Sequence, residues 1–532
     1  MPAGLPTLGA ALDERAAMTP DRTAFIWDDK RESFGDFREA AREAGAGLLD
    51  QGLRPGDRFA IYLRNCPEFI HVWMGGIITG IQPVTINIAF QGAPLRDQLD
   101  ISDCRLVVTS EELLPHVQAA VALGSRVEVI VVTDAARGSV GVATVPVVAL
   151  ADVVRLWPAD LPARDVEPGD PATVLYTSGT TGGSKAVQLT HGHLAGVAWS
   201  NCREVGITAD DITCIPVPLY HATGINGVLH AIWSGCTTVV ERRFRPVELR
   251  QRLVDLQVTV LTVVGPILRM LWNLPPDDVE KRLVLRCLFG NPIDVPFDEL
   301  HDRWGIEYVA TAYGQTEVQP CIVGRLPEIP YGAAGRLHPN LSGRLVDDDG
   351  VDVPDNTIGE LLLKANVPHS MLEHYLKNPA ANAEAFVDGW YRTGDLLSRD
   401  SDGIYFWIDR KKDVIRRRGE NISSVDVERA LLEHPDVVEA AVHGVPSELA
   451  EEEVKAVVVP APGTALTAEA LHDFVAETLP RFAVPRYIEF VDALPKNPTG
   501  RVKKFELRQR PTGESTWDRG VSHSKLKVVS HG

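Results

Sequence analysis

Hydrophobic positions follow two spacings along the first 290 residues, one typical of helices and one typical of buried strands. Phe37, Ala41, Ala44 and Leu48 recur every three or four residues, and Gly52 follows where a helix usually stops. This spacing predicts a helix. Short, continuous apolar runs predict strands buried on both faces, and they lie at 59–63, 105–109, 127–133, 258–264 and 285–289. Strands separated by helical stretches predict an α/β protein with largely parallel sheets.

Past about residue 410 the pattern becomes a compact series of helix, strand, strand, helix and strand. Helices are predicted at 425–433, with Ser424 as the N-cap, and at 468–479, after Thr467. The strands are predicted at 438–443, 454–459 and 487–491. A separate small domain accounts for this series, and we expect the polar chain after about residue 509 to be a flexible tail.

Composition narrows the classes of partner. The formal charge of −19 argues against nucleic acid or an anionic membrane, because surfaces that bind phosphate polymers are basic. Seven scattered cysteines without a C-x-x-C pair predict neither disulfides nor a zinc site, but reduced thiols in a cytoplasmic protein. We expect no signal peptide and no membrane span, since no stretch supplies the ~20 clean apolar residues required.

A run of small hydroxyl and glycine residues, 177–184, follows a predicted strand and leads to Lys185 and a helix-like continuation. Its backbone N–H groups and hydroxyls could face one anion, and the lysine adds a point charge. The Walker P-loop is excluded, because Ser184 stands where its second glycine belongs and Ala186 where its magnesium hydroxyl belongs. A surface linker rich in turn residues is the plain alternative.

The stretch T-S-G-T-T-G-x-x-K at 177–185 resembles the signature of the adenylate-forming superfamily of acyl-CoA ligases, luciferases and peptide-synthetase adenylation domains. Further blocks of that family occur in order, at 218–221, 313–317, 391–395, 410–413 with 419–423, and 495–501. The resemblance therefore covers nearly the whole chain, and it is greatest to the carnitine/crotonobetaine-CoA ligase branch. It implies a large N-terminal domain of packed, mostly parallel sheets with helices (1–411) and a small, mobile C-terminal α+β lid domain (412–532).

The resemblance also implies a reaction. A small or medium carboxylic acid would be activated by ATP as an acyl-adenylate, and coenzyme A would then take the acyl group as a thioester. Two anions meet in the first step, so Mg²⁺ and basic side chains must screen their charge. By resemblance, the residues around the β- and γ-phosphates are Thr177, Ser178, Gly179, Thr180, Thr181, Gly182 and Lys185.

Other roles follow from the later blocks. Thr316 would contact the α-phosphate, and Glu317 would supply a hard oxygen ligand to Mg²⁺. His221 would lie between the acid pocket and the thiol tunnel, although a lone histidine is often structural. Lys412 would be the hinge about which the lid turns. The residues expected to hold the nucleoside are Asn291, Tyr313, Gly314 and Gln315 around adenine, Asp395 on the ribose, and Arg410 on the hinge side.

Three positions depart from the family pattern. Arg501 stands where the family has the lysine that bridges carboxylate and α-phosphate; arginine keeps the charge but is planar and bulkier. Lys503 or Lys504 could act in its place. The stretch 290–293 reads Gly-Asn-Pro-Ile, and Ala186 replaces a glycine. The acid pocket is expected among 217–227, 290–293 and 310–315.

The expected partners are thus a small acid and ATP, for a monomer or homodimer. Two alternatives stay open. The activated group could pass to an acceptor other than coenzyme A, as in amide-forming ligases or in enzymes that activate nitrite for attack by an aryl amine. The chain could also be a non-catalytic nucleotide binder.

Overall fold

The structure is a computed structural model that describes residues 4–136, 141–142, 144–154, 166–177, 184–290, 292–293, 295–417, 420–447, 452–496, 502–510, 512–513 and 515–519. Its helices are α1 (Leu8–Met18), α2 (Phe34–Asp50), α3 (Pro67–Thr79), α4 (Ala93–Ile101), α5 (Leu114–Ala122), α6 (Leu150–Val153), α7 (His191–Val205), α8 (Ala222–Ser234), α9 (Pro246–Asp255), α10 (Gly265–Trp272), α11 (Phe297–Trp304), α12 (Pro379–Ala385), α13 (Ser424–Leu432), α14 (Ala468–Ala476) and α15 (Lys504–Arg508). None of the helices in these ranges has the length and apolar character needed to cross a bilayer.

The strands of the first 300 residues are β1 (Thr23–Trp27), β2 (Lys30–Ser33), β3 (Arg58–Tyr62), β4 (Gln82–Thr85), β5 (Cys104–Thr109), β6 (Val129–Val132), β7 (Gly141–Val142), β8 (Pro146–Ala149), β9 (Pro171–Tyr176), β10 (Ala186–Thr190), β11 (Ile212–Ile215), β12 (Thr237–Val240), β13 (Val260–Val263) and β14 (Cys287–Gly290). They are followed by β15 (Tyr308–Gln315), β16 (Val318–Leu326), β17 (Arg336–Leu337), β18 (Leu341–Val346), β19 (Gly359–Ala365), β20 (Phe386–Val387), β21 (Trp390–Arg399), β22 (Tyr405–Arg410), β23 (Ile415–Arg417), β24 (Glu420–Ile422), β25 (Val437–Pro446), β26 (Glu452–Pro460), β27 (Tyr487–Phe490) and β28 (Thr516–Asp518).

Two large sheets with parallel centres form most of the N-terminal part. One has the order β17-β16-β15-β14-β13-β11-β12-β1-β2 and the other β10-β9-β4-β3-β5-β6-β8-β7. Their inner pairs, such as β13 with β14 and β3 with β5, are parallel, while pairs at the ends are antiparallel. The predicted α/β class with mostly parallel sheets is confirmed. A third sheet, β18-β19-β21-β20 with β22 on β21, is antiparallel throughout.

The helix predicted from the first periodic stretch is confirmed as α2. Ser33 caps it, and a reciprocal hydrogen bond with Asp36 completes a capping box. The predicted apolar stripe is buried and packs on α3. The two helices approach closely at Gly45, where a Cβ would lie 2.8 Å from the carbonyl oxygen of Gly75. The close contact therefore depends on the absence of side chains at these two positions.

The C-terminal part has its own sheet, β25-β26-β27-β28, with α13 and α14 packed around a separate apolar cluster. The predicted order of elements is confirmed, while the division of the chain at 411/412 stays a prediction. The tail prediction is wrong for Thr516–Asp518, because this segment pairs with β27 and Asp518 forms an ion pair with Arg486 at 3.1 Å.

Two further details correct the sequence predictions. The N-cap of α13 is Ser423, whose hydroxyl accepts from the backbone N–H of Asp426. Ser424, the predicted cap, instead donates its hydroxyl to Asp409 at 2.5 Å. The chain after Lys185 also continues as the strand β10 before it becomes the helix α7, so the predicted helix-like continuation begins late.

Candidate active site

Three sheets meet at the turn between β15 and β16. Gln315 and Val318 are paired residues of the two strands, so Thr316 and Glu317 form a tight two-residue turn at the end of the hairpin. Thr316 is partly exposed, whereas Glu317 is buried at 8% exposure. The sequence therefore places these two side chains by a purely local device, a hairpin turn.

Glu317 is a buried carboxylate with few groups that compensate for its negative charge. The phenol of Tyr375 donates to its Oε1 at 2.9 Å, and burial raises the pKa of Glu317 despite this bond and the fields of Arg410 and Lys185. Its own carbonyl accepts from the backbone N–H of Leu372 at 2.7 Å, which fixes the turn. A buried carboxylate is costly unless a cation joins it, so the position suits a metal ligand.

Tyr375 reaches Glu317 because the segment around it is paired with β10. The N–H of Leu376 donates to the carbonyl of Ala186 at 2.9 Å, and Tyr375 forms a β-bridge with Val187. The ammonium of Lys185 lies 4.7 Å from the centre of the Tyr375 ring, a cation–π contact. Lys185 is thereby held on the same side of the site as Glu317.

The two ends of the glycine-rich stretch are held together. The N–H of Thr177 donates to the carbonyl of Lys185 at 3.0 Å, and the N–H of Lys185 donates to the Thr177 hydroxyl at 3.2 Å. These bonds continue the antiparallel pairing of β9 with β10. Seven of the predicted site residues lie outside the described residues: Ser178, Gly179, Thr180, Thr181, Gly182, Asn291 and Arg501.

Asp395 is the second buried carboxylate of the site, at 1% exposure. Its Oδ2 accepts from the phenol of Tyr313 and from the amide of Gln315, both at 2.6 Å. Its Oδ1 lies 3.0 Å from Nε of Arg410, the residue opposite it across β21 and β22. The two atoms form an ion pair, and neither has a hydrogen-bond partner among the described residues, so Oδ1 keeps a lone pair that can accept from a ligand hydroxyl beside Arg410.

The two carboxylates are joined through tyrosines that the sequence prediction missed. Tyr391 donates to Oε1 of Gln315 at 2.8 Å, and the amide of Gln315 reaches Asp395. Tyr391 opens the 391–395 block and could have been identified there. Tyr375 belongs to no block of the pattern, and only the pairing with β10 brings it to the site. Gly314 is exposed beside this network.

His221 begins α8 and has a partly exposed side chain. Burial of its imidazole lowers the pKa of His221 to about 4, and its Nε2 has no hydrogen-bond partner in the part of the chain that the structure describes. The ring lies 4.7 Å from that of Tyr220. At neutral pH His221 is therefore a neutral group that can donate or accept a hydrogen bond.

The predicted hinge residue lies between charged contacts. Arg508 donates to the carbonyl of Lys412 at 3.2 Å and to Asp413 at 2.7 Å. Lys411 and Arg416, on either side of it, both form ion pairs with Asp348, at 2.8 and 2.7 Å. The positive charges of Lys411 and Arg416 are thus neutralised within the protein.

Of the two lysines considered as substitutes for Arg501, Lys504 is engaged elsewhere. Its ammonium lies 2.7 Å from Oε1 of Glu428 and donates to the hydroxyl of Ser424 at 2.6 Å. Lys503 forms an ion pair with Glu506 at 2.9 Å. In this structure neither lysine reaches Glu317 or Asp395 by any described contact.

The described side chains fit a nucleotide with Mg²⁺. The residues in these ranges include no group of three or more His, Cys, Asp or Glu placed to hold a metal by themselves. A single buried carboxylate suits Mg²⁺ that is also held by phosphates and water, since Mg²⁺ keeps several such ligands. Oδ1 of Asp395, although ion-paired with Arg410, keeps a lone pair that suits a ribose hydroxyl.

Comparisons with known proteins agree with this geometry. Residues 12–376 match the model of the AMP-binding enzyme family, and residues 426–501 match that of the AMP-binding enzyme C-terminal domain. The chain is 30% identical to 2-succinylbenzoate–CoA ligase of Bacillus licheniformis, over 93% of this chain and 98% of the relative. It is 27% identical to crotonobetaine/carnitine–CoA ligase of Escherichia coli, over 91% of this chain and 98% of the relative.

A solved structure extends the comparison to a nucleotide complex. O-succinylbenzoate coenzyme A synthetase of Bacillus subtilis, in complex with ATP and magnesium ion, superposes with a TM-score of 0.79 at 25% sequence identity. The match covers 93% of this chain and 98% of that one. The likeness therefore includes both the large N-terminal part and the smaller C-terminal part.

Proposed function

Because this chain belongs to the AMP-binding enzyme family, we propose that it is an AMP-forming acid–CoA ligase acting on a small or medium carboxylic acid. ATP activates the acid as an acyl-adenylate with release of pyrophosphate, and coenzyme A then takes the acyl group and releases AMP. The observation that carries the proposal is the linked pair of buried carboxylates, Glu317 and Asp395. Tyr375 donates to Glu317 and is hydrogen-bonded to Tyr391, which donates to Gln315, and the amide of Gln315 donates to Asp395.

Each carboxylate has a distinct task. Glu317 would hold Mg²⁺ together with the phosphates, and the bound metal would supply positive charge where the attacking acid and the triphosphate otherwise repel each other. Asp395 orients the nucleoside by accepting from a ribose hydroxyl at Oδ1. Lys185 faces the same end of the site and screens the leaving pyrophosphate, while the Thr316 hydroxyl can donate to the α-phosphate.

The second half-reaction needs a route for the thiol. His221 is neutral at physiological pH because burial lowers its pKa to about 4. A neutral imidazole carries no positive charge to hold the phosphate groups of coenzyme A, so it can border the path to the acyl carbon. Lys412 is the proposed hinge by which the C-terminal part rearranges between the two steps.

A panel of carboxylic acids tests the proposal through pyrophosphate release, measured with and without coenzyme A. We expect release with at least one acid, and one AMP and one thioester per ATP when coenzyme A is present. Lys185→Met should reduce the rate by about 10²–10³-fold, whereas Lys281→Met, which removes an exposed lysine paired with Asp278, should not change it. Absence of pyrophosphate release with every acid would contradict the proposal.

One feature of the sequence favours a second candidate function with a different activated anion. This feature is the arginine at position 501 in place of the family lysine. Arginine contacts oxyanions through a planar fork and not as a point charge, so the contact to the activated anion and to the α-phosphate differs from that of the family lysine, and nitrite is a second candidate for that anion. Pyrophosphate release that requires nitrite and an aryl amine, and that no carboxylate supports, would select this alternative over the acid–CoA ligase.

A further inference from the structure

A small cavity lies between α7, β16 and the segment that precedes β18. It has room for about one water molecule. The described residues of its lining include no lysine, arginine, aspartate or glutamate; they combine Gly196, Val197, Pro320 and Leu341 with neutral hydrogen-bonding side chains. Those side chains are His193, Ser200, Gln319, His338, Asn340 and Ser370.

His193 is the unusual member of this lining. It is 1% exposed, and neither ring nitrogen has a hydrogen-bond partner among the described residues. Buried polar atoms are nearly always paired, so two unpartnered nitrogens on a cavity wall point to a missing ligand group. Burial lowers the pKa of His193 to about 4, so the ring is neutral, with one nitrogen that donates and one that accepts.

The backbone of His193 is fixed, so its imidazole is held in place as part of the cavity wall. Its N–H donates to the hydroxyl of Thr190, the N-cap of α7, at 3.1 Å. The second imidazole of the cavity, His338, is 2% exposed and accepts from the N–H of Asn340 at 3.3 Å. Burial lowers the pKa of His338 to about 4 as well, so both rings are neutral.

The cavity adjoins the catalytic end of the site. Gln319 lies in β16, two residues after Glu317. Ser370 precedes by two residues Leu372, whose N–H donates to the carbonyl of Glu317 at 2.7 Å. On its other side Gln319 accepts from Asn226, at 3.5 Å, on the helix that His221 begins. The cavity therefore lies between the metal-binding turn and the helix of the predicted acid pocket.

We propose that this cavity receives a hydroxyl group, or a neutral group of that size which both donates and accepts, carried by the acid that the enzyme activates. This inference rests on the proposed function. A second carboxylate or an ammonium group would find no counter-charge in the lining. A methyl group would leave the nitrogens of His193 unpaired. A hydroxyl has the size of the water that the cavity can hold, and it satisfies one donor and one acceptor.

The experiment compares matched acids that differ by one hydroxyl, namely benzoate with its three monohydroxy isomers and hexanoate with its hydroxy derivatives. Pyrophosphate release gives kcat/KM for each acid with the wild-type chain. We expect one hydroxy acid of a series to exceed its parent by at least about tenfold, because the parent leaves buried polar atoms unpaired.

Two variants attribute the preference to the cavity. His193→Phe keeps a ring but removes both nitrogens, and it should reduce the hydroxyl preference to about one. The smaller change Ser200→Ala should reduce the preference in part. His230→Phe is the matched control, since His230 is also buried with two unpartnered nitrogens but does not line the cavity. It should leave the preference intact.

The outcomes separate this inference from the proposed function. Activity with parent acids and no preference for any hydroxy acid overturns the inference, the cavity then holding a structural water only, and leaves the proposed function standing. An equal loss of preference in His193→Phe and His230→Phe also overturns it. Absence of pyrophosphate release with every acid overturns both.

Discussion

The phenol of Tyr313 donates to Oδ2 of Asp395 at 2.6 Å, although the two residues lie on strands of different sheets and 82 positions apart. This bond occupies one oxygen of the carboxylate that the resemblance places on the ribose. Since Gln315 donates to the same oxygen, Oδ1, which is ion-paired with Arg410, is the oxygen with capacity left for a ligand in this structure. The nucleoside is therefore expected to be held by one oxygen of Asp395, unless it displaces Tyr313.

Asp395→Asn should weaken AMP binding by about 10- to 100-fold, because a hydrogen bond to a charged group contributes ~1.5–3 kcal/mol. Isothermal titration calorimetry with AMP measures the change. Asp355→Asn, an exposed carboxylate paired with Arg399, is the control and should leave the affinity unchanged. If Asp395→Asn binds AMP as the wild type does, the assigned contact is wrong.

Glu317→Gln should reduce pyrophosphate release by about 10²–10³-fold at every Mg²⁺ concentration, because the amide is a poor ligand for the metal. The same variant should raise the free energy of unfolding of the ligand-free protein at neutral pH. Burial raises the pKa of the Glu317 carboxyl, so the ionised form is disfavoured in the folded state and a neutral amide relieves this cost.

Thermal unfolding in the absence of nucleotide, together with a Mg²⁺ titration of the rate, measures both effects. Glu373→Gln removes an exposed carboxylate paired with His369 and serves as the control. A variant that keeps its rate at high Mg²⁺, or that is destabilised, contradicts the assignment.

Arg501→Ala should reduce adenylation far more than Lys504→Ala. Lys504 is engaged by Glu428 and Ser424, so its removal leaves a buried carboxylate unpaired and should mainly lower stability. Pyrophosphate release reports on adenylation, and the urea midpoint reports on stability. If Arg501→Ala retains wild-type activity while Lys504→Ala loses it, the lysine takes the place of the family residue and Arg501 does not.

Asp348→Asn should change the rate of thioester formation without changing that of adenylation. Asp348 bridges Lys411 and Arg416, on opposite sides of the proposed hinge at Lys412, so a turn about the hinge must break one of the two pairs. The pairs are partly exposed, and such a pair contributes at most about 1 kcal/mol, so the effect should be no more than about fivefold. High salt should bring the rate of thioester formation in the wild type toward that of the variant.

Single-turnover transfer from a preformed acyl-adenylate to coenzyme A measures this step. Asp349→Asn changes the neighbouring exposed carboxylate and is the matched control. An unchanged transfer rate in Asp348→Asn would show that these ion pairs do not restrain the hinge.

The folded protein should lose stability as the pH falls from about 6.5 toward 4. Burial lowers the pKa of His193 to about 4 and that of His230 to about 3, so these rings stay neutral in the folded state while they gain protons in the unfolded chain. Their contribution is complete above pH 6.5 and is lost on acidification, at roughly 3 kcal/mol for each ring by pH 4.

Urea midpoints at pH 7.5, 6.0 and 5.0 measure this dependence, and His230→Phe should flatten it. Carboxyls with a raised pKa, such as that of Glu317, instead make the folded protein more stable as the pH falls. The difference between wild type and His230→Phe therefore isolates the histidine contribution. Identical slopes in the two proteins would contradict the prediction.

The sequence by itself determined the features that depend on neighbours along the chain. The stripe of α2, the parallel strands and the turn that presents Thr316 and Glu317 follow from periodicity and from short blocks, because helices and hairpins are specified by residues within a few positions. The order of the blocks also identified the family, since each block is itself a local pattern.

Only the tertiary structure decided which side chains meet. Tyr375 reaches Glu317 through pairing with β10, Lys504 is neutralised by Glu428, and Asp395 has one oxygen already occupied. His193 has unpartnered nitrogens because residues far apart in sequence enclose it. Burial and hydrogen bonding between distant segments produce no periodic pattern in the sequence. The sequence therefore predicted residues of the site but not the contacts that they make with one another.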